Sequence, residues 1–425
     1  MSLRVDPVLG KSYYDGKEID FQLPPRWNLL AQVEPSEVSA LDDVEGSIEK
    51  AFKNPIEVPS FRGKSLLGKR VVIISDDQTR PTPVDVVFPP LLNQLNELGV
   101  TDQDVDLVVG RGTHRLPSPM DLERKLGKET CERVDVSVHD ADDNSNLTFM
   151  GETSRGTPVW VNRLVAEADI SIGIGTVAPH YFAGYSGGPK IILPGVCGRK
   201  TIVKNHVMTA DPNSVQGIRR GNPIWEDMLE AARISGLDAK LDLVLTPEKK
   251  VHKLFFGDVE VSQDRAVESF TQVYGVSIPR MVDVTITSGY PLEADLIQSC
   301  KAIMSANSVT KEGGSIILSS ACHDGPGPMF YETLSQKPDP DQVIRWIGEG
   351  KASPTGGPMA SRLRTLLKSK RLVVVTQGIP EDKISDMEMV PARTISEAVE
   401  MELRHRGEAD VVVLPIGGAS FPYVQ

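Results

Sequence analysis

The sequence predicts an α/β fold: two α/β domains with mostly parallel sheets flanking a central cleft. Three observations predict it. Short β-branched apolar runs recur, as at 71–74 and 107–109, each followed by a polar loop and then a stretch with helical periodicity. These runs are apolar at successive positions, which suits strands covered on both faces of a parallel sheet. The third is length, because 425 residues exceed what one core ordinarily organises. We place a larger domain at 1–270 and a smaller one at 282–425, joined near 270–282.

Taken in order, residues 1–60 are mixed and proline-rich, with a short β-ribbon near 3–14 and a helix over 42–53. A buried strand over 70–75 ends in Asp77, Gln78, Thr79 and Arg80. A helix follows at 84–98, with Gly99 as its stop. The strand at 106–110 ends in Gly112, Thr113, His114 and Arg115. A helix over 118–128, strands at 134–139 and 146–151, and a strand at 169–173 lead into the centre of the chain. Beyond it come a helix at 222–235, strands at 241–245 and 253–257, and a helix at 258–273. The pattern restarts with a strand at 283–288, a helix at 295–306 and a strand at 314–320. Helical segments reach residue 368, and strands at 371–376 and 410–414 enclose a helix at 396–404. Ligands of open parallel sheets bind outside the carboxyl ends of the strands. The clusters at Asp77, His114 and His180 all follow strands, so the topology brings them to one face.

The centre is the stretch 175–210, which holds two of the seven histidines. His180 is followed by Gly184, Ser186, Gly187, Gly188 and Lys190, and then by Lys204, Asn205 and His206. The glycines allow φ > 0 and close backbone approach. Lys190 suits either a phosphate-binding charge or, desolvated, a nucleophilic amine. The loop is not a Walker motif, because its lysine lies between Pro189 and Ile191.

Charge and composition exclude several classes. A formal net charge of −12 argues against a nucleic-acid surface. No apolar run is long enough to span a membrane, and residues 1–6 lack a secretory apolar segment. Four scattered cysteines, Cys131, Cys197, Cys300 and Cys322, read as reduced thiols of a cytoplasmic protein. Cys197, beside the central loop, reads as a small buried residue or as a lining of the site.

The remaining candidates each carry two readings. Asp77 and Arg80 are a carboxylate-and-guanidinium pair for an anionic ligand, or an ordinary helix start. His114, on a glycine-flanked strand-end loop, is an acid–base candidate or an incidental loop residue. His206 is a metal ligand or a satisfied core histidine, and no second His or Cys stands at metal-ligand spacing. Gln298 and Lys301 share one helix face, either for an anionic substrate or as an exposed polar surface. His323 belongs to a turn, and His139, His252 and His405 are expected at the surface.

Together, Asp77–Arg80, Gly112–Arg115, Pro179–Lys190, Asn205–His206, Asn222–Pro223 and Gln298–Lys301 resemble the nickel-dependent lactate racemase family, over about residues 20–420. The resemblance implies a nickel pincer nucleotide, Ni(II)-pyridinium-3,5-bisthiocarboxylic acid mononucleotide, covalently attached at Lys190. His206 would supply the protein ligand to nickel, the pincer providing the rest of a planar set. His114 and His180 would be the acid–base pair. Asp77, Thr79 and Arg80 would hold cofactor and substrate. Ser186, Gly187 and Gly188 would cradle the cofactor phosphate, and Gln298 and Lys301 would close over the substrate from the second domain. Implied partners are a small 2-hydroxy acid and the cofactor-biosynthesis proteins. Three features depart from the family pattern: Ile297 replaces an aromatic, a tryptophan expected to pack on the cofactor is not identifiable, with Val343 near its expected place, and Ala178 replaces an acid.

The implied reaction is racemisation or epimerisation at C2 of a 2-hydroxy acid by proton-coupled hydride transfer. Two histidines serve the two stereoisomers, each as base in one direction and acid in the other. Two alternatives stand beside it: a catalytically inactive cofactor-binding homologue, and a lysine Schiff-base or phosphate-ester enzyme using Lys190.

Overall fold

The computed structural model describes residues 8–58, 65–353 and 356–424. Its contacts divide into two compact units, Glu37–Val273 and Met1–Ser36 with Tyr274–Gln425. The chain opens with a hairpin, β1 (Leu9–Tyr14) and β2 (Lys17–Gln22), and a strand β3 (Trp27–Gln32). The hairpin matches the expected ribbon; residues 3–7 of that expectation lie outside the described residues. The strand β3 was not foreseen. It pairs in parallel with a strand near the other end of the chain, so residues 1–36 belong with the second unit and not with a domain over 1–270.

The first unit contains α1 (Val44–Lys53), β4 (Val71–Asp76), α2 (Val84–Glu97), β5 (Val105–Gly110), α3 (Pro119–Leu126), α4 (Lys128–Arg133) and β6 (Asp135–Val138). It continues with β7 (Leu147–Glu152), β8 (Pro158–Asn162), α5 (Arg163–Glu167), β9 (Ile170–Thr176), β10 (Pro179–His180), β11 (Gly184–Tyr185), α6 (Arg199–His206) and α7 (Pro223–Ile234). It ends with β12 (Ala239–Leu245), β13 (Val251–Gly257) and α8 (Val259–Tyr274). Its main sheet has the order β13-β12-β9-β4-β5-β6, parallel except for β13.

The apolar run of β4 explains the layers. Val71 and Ile73 pack into one core with α1 and α2, while Val72 and Ile74 face the opposite core with Val161, Phe182, Ile192 and Ala231. Both faces are covered, so both alternating sets must be apolar. From β4 the chain moves outward through β5 to β6, then returns to β9 on the other side. The topological switch lies between β4 and β9, where open sheets bind ligands.

The second unit adds β14 (Gly275–Ile278), β15 (Val282–Ser288), α9 (Leu296–Asn307), β16 (Thr310–Ser319), α10 (Phe330–Leu334), α11 (Pro340–Gly348) and α12 (Gly357–Leu367). It closes with β17 (Arg371–Val375), α13 (Glu381–Asp386), β18 (Val390–Ala392), α14 (Ile395–Arg406), β19 (Ala409–Leu414) and β20 (Phe421–Val424). Its sheet, β18-β17-β16-β15-β19-β3, is parallel throughout. Trp27, Val284, Ile286, Val373, Val411 and Val413 share its core. Among the described residues no helix is long and apolar enough to cross a membrane.

Candidate active site

The site begins where β4 ends. Asp77 is 2% exposed, and each of its oxygens has a task. One accepts from the Thr79 backbone N–H at 2.7 Å and from the Thr79 hydroxyl at 2.5 Å. The other lies 2.5 Å from His114 Nδ1, across the loop that ends β5. Burial alone would raise the Asp77 pKa. The hydrogen bond and charge of His114, the Arg80 guanidinium and the Thr79 hydroxyl outweigh it and hold the carboxyl well below its ordinary range. An ionised carboxylate only accepts, so His114 Nδ1 carries a proton. In the neutral ring Nε2 is then the lone-pair nitrogen, which is the tautomer a base needs.

The second histidine stands on a two-residue strand. His180 in β10 pairs with Gly184 in β11, and the turn between them places Tyr181 and Phe182 beside its ring at 4.8 and 4.4 Å. His180 Nε2 is 3.2 Å from Lys190 Nζ. His180 Nδ1 accepts from the Ala183 N–H at 3.3 Å, so in the neutral ring Nε2–H donates to the lysine amine. The lysine also lies 5.4 Å over the Phe182 ring. A short helical turn, Gly188–Ile191, carries it.

His206 ends α6. Its Nδ1 is buried and, among the described residues, has no partner at hydrogen-bond geometry. Burial of the ring, reinforced by the Lys190 charge and partly offset by the Ile202 carbonyl, pushes the pKa down to about 3. His206 is therefore a neutral imidazole near pH 7, the form that binds metals. Its ring meets the edge of Phe182 at 4.9 Å. Asn205, fully buried, fixes this helix end by donating to Asp227 at 2.8 Å and to the Ile224 carbonyl at 3.2 Å. Asn222 donates to the Phe182 carbonyl at 2.8 Å while capping α7. Phe182, which the sequence did not single out, touches His180, Lys190 and His206; an aromatic between two motif residues carries no distinguishing pattern by itself.

The glycine loop behaves differently from a phosphate cradle. Ser186 N–H donates to the Ala178 carbonyl, and its hydroxyl to the Thr176 carbonyl at 2.9 Å. Gly188 N–H donates to the Asp242 carboxylate at 2.9 Å. Gly187 and Gly188 have φ of 72° and 49°, and a Cβ on either would strike Asp242 or Gln263. The loop needs its glycines to fold against these side chains. Its shape presents Lys190, while these donors are already engaged by the protein.

One further expectation changes. His139 is 1% exposed, with Nε2 3.0 Å from the Cys197 carbonyl and Nδ1 3.2 Å from Asn162 Nδ2. It is a core histidine, kept there by partners distant in sequence, and burial lowers its pKa. Of the two readings of Cys197, the small buried residue holds: it is fully buried in the core, where burial raises its thiol pKa. His252 and His405 do reach solvent.

In the second unit, Lys301 Nζ donates to Gln298 Oε1 at 2.7 Å, and Asp295 caps the helix through Gln298 N–H at 2.7 Å. Both side chains are half-buried. Ile297 packs on Gly327 and Gly356. Val343 is fully buried and faces its own unit's core; Trp346, one turn further along α11, is half-buried. His323 pairs with Asp15 at 2.8 Å near the surface.

A histidine anchored by a buried anion and a second histidine held on a lysine both follow strands of one parallel sheet, at the carboxyl edge where α/β proteins bind ligands. Comparison with known proteins makes this specific. Residues 14–217 match the lactate racemase N-terminal domain family, and residues 277–421 match the lactate racemase C-terminal domain family. A lactate racemase of Thermoanaerobacterium thermosaccharolyticum is 30% identical over 382 residues, 88% of this chain and 89% of that protein. One of Lactiplantibacillus plantarum is 30% identical over 378 residues, 87% and 89% of the two chains. The solved lactate racemase apoprotein from T. thermosaccharolyticum superposes with a TM-score of 0.86 at 27% identity, covering 98% of this chain and 100% of that one. A Thermotoga maritima protein shares the fold, with a TM-score of 0.64 at 19% identity, covering 90% of this chain and 97% of that one. The chain belongs to the lactate racemase family, and it is an isomerase of the racemase type.

Proposed function

We propose that this chain interconverts the stereoisomers of a 2-hydroxy acid at C2, with lactate the first substrate to try, using a nickel pincer nucleotide attached at Lys190. One observation carries the reading. Two histidines on separate strand-end loops are held by different partners, Asp77 for His114 and Lys190 for His180. Racemisation needs a base for each of two opposed hydroxyl positions, and a pair held independently supplies both.

The residues fit the group. His206 offers a neutral imidazole whose buried Nδ1 has no partner at hydrogen-bond geometry among the described residues, and it would hold the metal. Lys190 is a half-buried amine within reach of an imidazole. When bound, the nucleotide supplies a reversible acceptor for the C2 hydrogen as hydride. The chain's own residues do the remainder. His114 Nε2 takes the hydroxyl proton of one stereoisomer while Asp77 holds Nδ1–H and stabilises the imidazolium that forms. His180 takes the hydroxyl proton of the other stereoisomer. Arg80 orients the substrate carboxylate. Phe182 covers the rings of His180 and His206 and limits water there. Thr79 holds the cofactor alongside Arg80, and the Ser186–Gly188 turn shapes the wall that presents Lys190.

The test uses protein co-expressed with cofactor-biosynthesis proteins and a panel of enantiopure 2-hydroxy acids deuterated at C2. The expected result is racemisation with the deuterium retained. Loss of deuterium to water would overturn the hydride route. Full turnover without nickel would favour a Schiff-base or phosphate-ester enzyme at Lys190. His206→Ala should lower nickel retention while leaving the covalent adduct on the intact mass; undiminished nickel would return His206 to a packing role.

A further inference from the structure

The aspartate before the catalytic one points the other way. Asp76 Oδ1 accepts from Lys125 Nζ at 2.6 Å, and its other oxygen accepts from the Thr82 hydroxyl. Lys125 is 7% exposed and lies on α3. Its two remaining donors go to the Arg80 carbonyl at 3.0 Å and the Thr82 carbonyl at 2.9 Å. All three ammonium hydrogens are thus spent on one loop, residues 76–82, at both of its ends. That loop carries Asp77, Thr79 and Arg80. The Thr82 hydroxyl continues to the Thr176 hydroxyl at 2.8 Å, so the staple also spans the switch point between β4 and β9.

The lysine is also joined to the partner loop through its own helix. The helix α3 begins directly after the His114 loop. Arg115 pairs with Asp121 at 2.8 Å, and Ser118 and Asp121 cap the helix start. The Asp77–His114 hydrogen bond therefore runs between two loops whose relative position is set from beneath by one buried ammonium.

We propose that Lys125, with Asp76 and Thr82, is a positioning residue for the reaction: it fixes the register of the Asp77 and His114 loops and so maintains the tautomer of His114. Lys125 touches no reacting atom. The proposal rests on the racemase reading only for its kinetic arm; its spectroscopic arm uses the protein without cofactor, so the two fail separately.

Removing one partner of a buried ion pair leaves an unpaired charge, whereas replacing both spares the fold that cost. The test variant is accordingly Lys125→Met with Asp76→Asn, and Thr82→Val is the milder companion that keeps both charges. The first readout is the low-field proton resonance of His114 Nδ1–H, assigned by its loss in His114→Gln. The second is kcat of the nickel-loaded enzyme. Displacing a catalytic group by roughly 1 Å costs on the order of 100-fold. The double variant is expected to keep its melting temperature within a few degrees, lose or broaden the resonance, and lose about 10- to 100-fold in kcat. Thr82→Val is expected to show the same two changes, several-fold smaller. A folded variant that keeps the resonance overturns the proposal, whatever its activity, and so does one that loses the resonance with kcat unchanged. If the double variant fails to fold, Thr82→Val decides by the same two readouts.

Discussion

The two units are built on the same plan and use its open end in opposite ways. Each has a six-stranded sheet, parallel or nearly so, with a switch point at its carboxyl edge. In the first unit that edge carries Asp77, His114, His180 and Lys190. In the second it is taken by the chain's own N-terminal hairpin. Glu293 accepts from the backbone N–H groups of Asp15, Gly16 and Ala321. Tyr13 stacks on Tyr290 at 5.0 Å, the Ser288 hydroxyl donates to the Tyr13 carbonyl at 2.8 Å, and Gln377 N–H donates to the Tyr14 hydroxyl at 2.8 Å. The difference teaches that a strand end offers only a place; its side chains decide between chemistry and structure. The second sheet's edge is lined by small hydroxyls, Ser288, Ser299, Ser319 and Ser320, which suit a backbone seated on them.

The sharpest way to break this contrast is at Lys190. Lys190→Ala is expected to abolish the mass adduct and all turnover while leaving the fold intact; a full adduct on the variant would remove the chemistry from that loop. His114→Ala and His180→Ala come next, each with an expected loss of about 10²–10⁴-fold in kcat. Both losses must appear in both directions of the reaction, and a one-directional loss would contradict the paired roles.

The matching experiment on the second sheet is Glu293→Gln. It weakens a carboxylate that organises three backbone donors, and should cost about 1–3 kcal/mol in urea unfolding. Its kcat should stay within twofold of the parent; a hundredfold loss would mean that the hairpin end is also a catalytic element.

The smallest effect sharpens the description of the first sheet. Burial pushes the Tyr185 phenol up to about 12, against the opposing pull of the Thr271 hydroxyl and the Arg219 charge. A raised phenol contributes stability that is complete below its unfolded value of 10 and is lost as pH climbs toward 12. Wild-type protein should therefore lose more stability than Tyr185→Phe between pH 10 and 12. Parallel melting curves over that range would place the phenol in contact with solvent.

The sequence by itself determined the α/β class, most strands of both sheets and which polar residues follow the strands of the first sheet. The reason is locality: a run such as Val71–Ile74 declares a doubly covered strand, and the polar residues that follow it in the chain also follow it in space. Tertiary structure decided what depended on distant partners. The strand β3 gains its place from β19, some 380 residues away, and this moved the first 36 residues into the other unit. His139 is buried because Asn162 and Cys197 satisfy its ring. The Ser186–Gly188 loop turned inward because Asp242 and Gln263 lie behind it. Lys125 reads in the sequence as one more helix lysine; only the packed fold closes Asp76, Arg80 and Thr82 around its ammonium, because a buried charge is defined by neighbours the local sequence does not contain.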